Sequence, residues 1–319
     1  MKKIAVLTSG GDAPGMNAAI RSVVRSSTAR GLKVYGVQNG YLGLIHDDLF
    51  ELTASDVSGI IIRGGTMLGS ARVPGFKGLA VQQLALETLQ KHEIDAIVVI
   101  GGDGSYRGAL ALSKLGVKVV TIPGTIDNDI PGTEQTIGFD TALNTAIEAI
   151  DRLRDTSSSH HRCSVVEVMG NRCGDIALFA GIATGAELVI TPETGFNLKD
   201  TMKHLSQLDT VSGKKHAIVV ISEKLTDVDD LAVQISAQTS FSGRSTVLGY
   251  IQRGGSPTAM DRILATEMGD VAVSALLAGQ HASAVGYLDG HVTSMKLEDA
   301  FEYKRNEKEE IFALQRRLV

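Results

Sequence analysis

The sequence predicts an α/β protein of two lobes, each a largely parallel sheet flanked by helices, and three observations predict it. Short β-branched runs alternate with segments whose apolar residues recur every three or four positions. A chain of 319 residues exceeds one ordinary core, which makes two domains the expectation. The 35 glycines sit in bursts directly after apolar runs instead of spreading as linker. In open α/β sheets ligands bind beyond the carboxyl ends of the strands, so those bursts are where chemistry is expected.

In chain order, strands are expected at 4–7, 34–37, 96–100, 117–122, 165–168, 188–190, 217–221 and 245–248. Helices are expected at 17–30, 106–115, 140–154, 175–183, 198–208 and 261–277. The basic start Met1-Lys2-Lys3 precedes only four apolar residues, which reads as a first strand and not a signal peptide. No long linker marks a single crossing between lobes. The larger lobe is expected over 1–138 plus 251–303, and the smaller over 139–250 plus 304–319.

Composition excludes several function classes. No run reaches the ~18 apolar residues of a membrane span. A net charge of −5 argues against a dominant nucleic-acid surface and draws attention to arginines that cluster locally. Cys163 and Cys173 are the only cysteines, too few for a disulfide framework and without zinc spacing, so a cytoplasmic protein is expected.

Three glycine bursts carry the chemistry. Thr8-Ser9-Gly10-Gly11-Asp12-Ala13-Pro14-Gly15 follows the first strand and opens a helix, where free N–H groups and the helix dipole favour an anion. It matches neither a Walker A loop nor the GxGxxG spacing, and a ligand-free tight turn stays open as an alternative. Gly101-Gly102-Asp103-Gly104-Ser105 repeats the strand-loop-helix design, with glycines for polyphosphate approach and one carboxylate for Mg²⁺. Pro123-Gly124-Thr125-Ile126-Asp127-Asn128-Asp129 adds two carboxylates, one to bind metal and one to take a proton from an attacking hydroxyl. These residues by themselves lead to phosphoryl transfer from a magnesium-bound nucleotide to a hydroxyl on an anionic acceptor.

These segments, with Arg-Gly-Gly-Thr at 63–66, Ser-Ala-Arg at 70–72 and Gln-Arg-Gly-Gly-Ser-Pro at 252–257, resemble the bacterial ATP-dependent 6-phosphofructokinases nearly end to end. The resemblance implies a homotetramer that converts fructose 6-phosphate and Mg-ATP to fructose 1,6-bisphosphate and ADP. It implies that Gly11, Arg72, Val73, Gly102, Asp103, Gly104, Ser105 and Gly108 hold ATP, and that Asp103 and Asp129 bind magnesium. Asp127 is then the base, with Thr125 and Arg72 stabilising the transferring group. The sugar phosphate meets Thr125, Ile126, Asp127, Met169, Gly170, Asn171, Glu223, Tyr250, Ile251, Gln252 and Arg253, while Arg162 and Arg244 reach it from a neighbouring subunit. An effector pocket for ADP or phosphoenolpyruvate is implied at Arg21, Ser22, Val23, Val24, Arg25, Arg154, Gly185, Ala186, Glu187, Ser212, Lys214, Lys215 and His216. Similar enzymes that use pyrophosphate carry Asp at position 104 and Lys at 124. Both are glycine here, which favours ATP, and small Gly108 is expected to leave room for adenine.

The pattern is broken in places. Asn171-Arg172 stands where the family carries Arg after Met-Gly, and Tyr250 replaces its histidine, so weaker sugar-phosphate affinity with largely intact turnover is expected. Ala54, Gly59 and Ser212 lack charges of the usual effector pocket, so weak regulation is expected. An NAD or lipid kinase also carries Gly-Gly-Asp-Gly but not the segment at 123–129, and a non-catalytic sensor predicts loss of Asp103 or Asp127, both present. His160 and His161, adjacent after three serines, read as a polar loop sooner than a metal site.

Overall fold

The computed structural model describes residues 1–210, 213–303 and 308–318. Its elements are β1 (Lys3–Ser9), α1 (Met16–Ala29), β2 (Lys33–Val37), α2 (Tyr41–Ile45), β3 (Leu49–Leu52), α3 (Leu79–Lys91), β4 (Ala96–Gly101), α4 (Asp103–Lys114) and β5 (Lys118–Pro123). There follow α5 (Phe139–Ser158), β6 (Arg162–Val168), α6 (Asp175–Thr184), β7 (Leu188–Ile190), α7 (Leu198–Thr210), β8 (Ala217–Ser222), α8 (Val228–Gln238) and β9 (Ser242–Val247). The chain ends with α9 (Ala259–Leu277), β10 (Ala282–Leu288), β11 (His291–Lys296), α10 (Leu297–Glu302) and α11 (Glu309–Arg317). It divides into two units, Met1–Thr141 with Arg253–Arg305, and Ala142–Gln252 with Asn306–Val319.

The first unit is built on a seven-stranded sheet in the order β11-β10-β5-β4-β1-β2-β3. Only the edge strands β3 and β11 run antiparallel to their neighbours. β4 is buried along its whole length, and β1 and β5 everywhere but the first residue, as helices on both faces require, so these strands read as unbroken apolar runs. The register sets Ser9 beside Gly101, and Gly101 beside Pro123. The three glycine bursts therefore leave neighbouring strands, each about 4.8 Å from the next, at one edge of the sheet. One core layer packs Leu7, Val99, Ala109, Leu112 and Val119 against Tyr41, Phe76 and Leu89.

The second unit holds a parallel sheet, β7-β8-β6-β9. Cys163, Val165, Val219 and Ile221 pack there with Leu205, Leu231 and Phe241. Val168 stands beside Ser222, so the loops after β6 and β8 also leave the sheet together.

All eight expected strands are present, although β6 and β9 each begin three residues early. α4 begins at Asp103 and not at 106, because the acidic residue sits in the first turn, where the helix dipole favours it. β3, β10 and β11 were not expected from the sequence, nor were α2, α3, α8, α10 and α11.

Candidate active site

The strand-end loops are tied to one another by hydrogen bonds that the motif residues themselves supply. The Ser105 hydroxyl donates to the Ser9 carbonyl at 3.0 Å, joining the second burst to the first. The Ser70 hydroxyl donates to the Gly10 carbonyl at 2.6 Å, and Thr8 donates to Gly69 at 2.7 Å. Buried Asn17 donates from Nδ2 to the carbonyls of Arg63 and Gly64, both at 3.1 Å, and its Oδ1 accepts the Met67 N–H at 2.7 Å. The segment that carries exposed Arg72 is thus anchored on both sides of the first burst. Asn17, Thr8 and Ser70 lay inside or beside the quoted motifs, yet only the structure shows that they hold the segment at 63–70 against the first burst.

The third loop is equally determined. The Thr136 hydroxyl donates to the Thr125 carbonyl at 2.6 Å, and Asn128, at φ 53°, accepts the Thr136 N–H at 2.9 Å. The Thr125 hydroxyl accepts the Asp127 N–H at 3.2 Å, which leaves its own proton available to a ligand oxygen. Thr125 and Asp127 are buried to 8 % and 9 % exposure, and Ile126 is fully buried, so Ile126 can offer a ligand only its backbone. Arg253 lies against the first loop: Nη1 donates to the Asp12 carbonyl at 3.2 Å, and a Cβ on Gly11 would stand 2.0 Å from that nitrogen. A Cβ at position 11 would have to displace the Arg253 guanidinium, the far end of a flexible side chain.

Gly108 packs against an aromatic ring. It is buried, and a Cβ there would lie 2.7 to 2.9 Å from the ring of Tyr41. Tyr41 donates to the Ser105 carbonyl at 2.7 Å and stacks on Phe76 with ring centroids 4.2 Å apart. Burial pushes its phenol well above the usual range, so it stays a neutral donor. Gly104, by contrast, is exposed with no atom within 4 Å of a Cβ position.

A divalent cation fits the donor set. Asp103 opens α4 behind extended Gly102, and Asp129 closes the third loop half-buried. Two carboxylates without nitrogen or sulfur suit a hard cation, and Mg²⁺ is commonly held by one or two carboxylates together with substrate phosphates. Among the described residues no group of three or more His, Cys, Asp or Glu could hold a metal ion. The Asp103 carboxylate accepts from Arg107 Nε at 2.9 Å, a pairing the sequence reading missed although the i, i+4 spacing signals it.

In the second unit Met169, Gly170, Asn171 and Glu223 meet at the ends of β6 and β8. Glu223 Oε1 accepts the N–H groups of Asn171 at 2.8 Å and Gly170 at 3.3 Å. Buried Gln252 accepts the Met169 N–H at 3.3 Å and donates to Gly249, while Tyr250 and Ile251 are strongly exposed. Arg162 begins β6 and Arg244 stands beside Ser164 near the same end. Six residues of strand, about 20 Å, separate Arg162 from the Val168 end. Arg162 and Arg244 therefore stand towards the opposite end of this sheet from Met169 and Glu223.

Of the residues expected at an effector pocket, Arg154 and Lys214 gather on Glu187, which is 4 % exposed. It accepts from Lys214 Nζ at 2.9 Å and the Ile218 N–H at 2.7 Å, with Arg154 Nη1 at 3.7 Å. Arg154 also donates to the carbonyls of Thr184 and Gly185. Ala186 is buried, Lys215 exposed and His216 intermediate. Ser212 lies outside the described residues. In the first unit Arg21 and Arg25 sit on α1, but Ser22, Val23 and Val24 are buried, and Ser22 donates to Thr266, so their side chains are not available to an effector. Burial, and then Glu187, push the Cys163 thiol up to about 12, which makes it inert. His160 and His161 lie in a turn, and the His161 ring stacks on Phe241.

No helix of the described residues is long and apolar enough to cross a membrane. Comparison with known proteins finds the family model "Phosphofructokinase" matching residues 3–276. ATP-dependent 6-phosphofructokinases of Aliivibrio fischeri and Tolumonas auensis are each 55 % identical, with 98 % of both chains covered. Among solved structures, the phosphofructokinase of Saccharomyces cerevisiae superposes with a TM-score of 0.87 at 35 % identity over 95 % of this chain, which spans 45 % of the yeast chain. A pyrophosphate-dependent phosphofructokinase from Marinobacter aquaeolei shares the fold at 22 % identity and a TM-score of 0.86, covering 97 % of this chain and 86 % of its own. With three strand-end loops converging at one sheet edge and a family match over most of its length, the chain belongs to the phosphofructokinase family.

Proposed function

We propose that this chain is an ATP-dependent 6-phosphofructokinase, which phosphorylates fructose 6-phosphate to fructose 1,6-bisphosphate in the cytoplasm. The observation that carries the reading is the register Ser9, Gly101, Pro123, which places a phosphate-compatible loop, a metal-compatible carboxylate and a buried carboxylate on adjacent strands.

Asp127 takes the proton of the sugar hydroxyl as that oxygen attacks, an effect commonly worth ~10²–10⁴-fold. The Thr125 proton and the Arg72 guanidinium stabilise charge that develops on the transferring phosphoryl group. Asp103 and Asp129 would hold Mg²⁺, which neutralises phosphate charge when bound. Gly11, Gly102, Gly104 and Ser105 present backbone to the nucleotide. The open space at Gly104 supports ATP over pyrophosphate, because an aspartate there would fill it with negative charge. The distance between Arg162 and the Met169 loop supports an active site shared between subunits of a homotetramer. The charges remaining around Glu187 support an effector pocket, weakened at Ala54, Gly59 and Ser212.

Initial rates with fructose 6-phosphate and either Mg-ATP or pyrophosphate test the reading, with Asp127→Ser as control and phosphoenolpyruvate added in parallel. ATP-dependent turnover lost in the control is expected, with little phosphoenolpyruvate inhibition. Pyrophosphate dependence refutes the donor reading, and inhibition at micromolar phosphoenolpyruvate refutes weak regulation.

A further inference from the structure

The loops after β6 and β8 each contain a non-glycine residue in left-handed backbone, Asn171 at φ 58° and Lys224 at φ 68°. Asparagine visits that region readily, but lysine gains no local side-chain bond there, and such strain persists where surrounding contacts over-determine it. The contacts here point across the two loops. Lys224 Nζ donates to Asn171 Oδ1 at 3.0 Å and lies 3.8 Å from Glu223 Oε1. The same Glu223 oxygen accepts the two N–H groups of Gly170 and Asn171, so ammonium, carboxylate and both loops form one cluster.

The surroundings are acidic. Glu167 on β6 has its carboxyl raised above the ordinary range by burial and then by the negative charge of Glu223, Asp227 and Asp229. A sugar phosphate dianion entering there meets repulsion unless a cation stands by it. We propose that Lys224 is a specificity-determining residue of the sugar-phosphate site, its ammonium strapped between Asn171 and Glu223 to set the loop and offset the carboxylates when the anionic sugar binds. The inference rests on assigning Met169, Gly170, Asn171 and Glu223 to the sugar phosphate.

The test uses the full chain with Lys224→Gln and Lys224→Arg. Calorimetric binding of fructose 6-phosphate and initial rates are measured at low and high potassium chloride. Lys224→Gln is expected to raise Kd and KM about three- to tenfold. It should lower kcat by less and flatten the salt dependence, and Lys224→Arg should recover most of the loss. A glutamine variant with unaltered Kd and salt slope overturns the proposal, as does an arginine variant no better than glutamine, which makes the role conformational. Failure of the unaltered protein to bind fructose 6-phosphate refutes the underlying assignment instead, and Lys224's role falls with it.

Discussion

Asp261 offers a measurable consequence of burying a carboxylate beside the active-site loops. It stands in the first turn of α9, whose N-cap Thr258 accepts the Asp261 N–H, and it is fully buried. Its oxygens accept the Gly138 N–H at 2.8 Å, the Thr141 N–H at 2.8 Å and the Thr141 hydroxyl at 2.5 Å, the donors at the start of α5. Burial outweighs those bonds and pushes the carboxyl from 3.8 up to about 6. The folded chain therefore binds this proton more tightly than the unfolded chain does. The stabilisation is fully present below the unfolded value and is lost as pH rises through about 6. The difference corresponds to about 3 kcal/mol in all, of which roughly 2 kcal/mol falls between pH 4.5 and 7.5. Asp261→Asn cannot ionise. Its amide turns an N–H towards donors, at a pH-independent cost of about 1–3 kcal/mol. Urea unfolding of both proteins at pH 4.5, 6 and 7.5 separates the two effects. The wild type should lose ~2 kcal/mol relative to the variant across that range, and two parallel profiles would refute the reasoning.

Other perturbations test the site directly. Gly108→Ala drives a methyl into the Tyr41 ring; strain of about 1–3 kcal/mol exceeds the helix gain of up to ~1 kcal/mol, so a lower melting temperature and a raised KM for ATP are expected. Asp127→Asn should cut kcat by ~10²–10⁴-fold while nucleotide binding, followed by calorimetry, holds. Arg107→Met removes a half-exposed pair worth at most ~1 kcal/mol that competes for Asp103, so the Mg²⁺ needed for half-maximal rate should fall by a few-fold at most. Glu187→Gln leaves Lys214 and Arg154 without their buried partner and should cost about 1.5–3 kcal/mol in thermal unfolding.

Central strands were legible because both faces of the parallel sheets are buried, so β1, β4, β5, β6 and β8 are continuous apolar runs. The edges were not. β3 is Leu49–Leu52 with two exposed residues, and β11 alternates half-buried and exposed positions from His291 to Lys296, so neither shows a run. β10 breaks its apolar pattern with Ser283 and Gly286, the latter glycine because a Cβ would stand 2.1 Å from the Gly132 carbonyl. α3 buries polar Gln82 and Thr88 beside Ala85 and Leu89, which blurs its apolar stripe, whereas α8 does carry Val228, Leu231, Ala232 and Ile235 at helical spacing behind the N-cap Asp227, a signal that was legible and missed. For the site, the motifs placed Asp103, Asp127 and the glycines, whereas their supports were invisible. Nothing local in Asn17 or Tyr41 says that they hold the loops at 63–67 and 105.

The glycines sharpen the point, since one residue type in one motif set answers to separate forces. A Cβ on Gly11 would meet the Arg253 guanidinium, and one on Gly108 the buried Tyr41 ring. Gly124 would place a Cβ 3.1 Å from both Ile100 Cγ2 and Met16 Cε, so a lysine there must first displace apolar packing at the end of β4. Gly104 is the second residue of α4, exposed, and a Cβ there meets nothing within 4 Å. That open backbone, next to the Asp103 carboxylate, is where a ligand can approach without displacing protein. Donor choice in this chain should accordingly hang on position 104 more than on 124: Gly104→Asp alone should abolish ATP-dependent turnover with the fold intact by circular dichroism. Gly124→Lys should lower thermal stability first. The reverse order of effects, with Gly104→Asp active on ATP, would mean that the nucleotide does not pass over the start of α4.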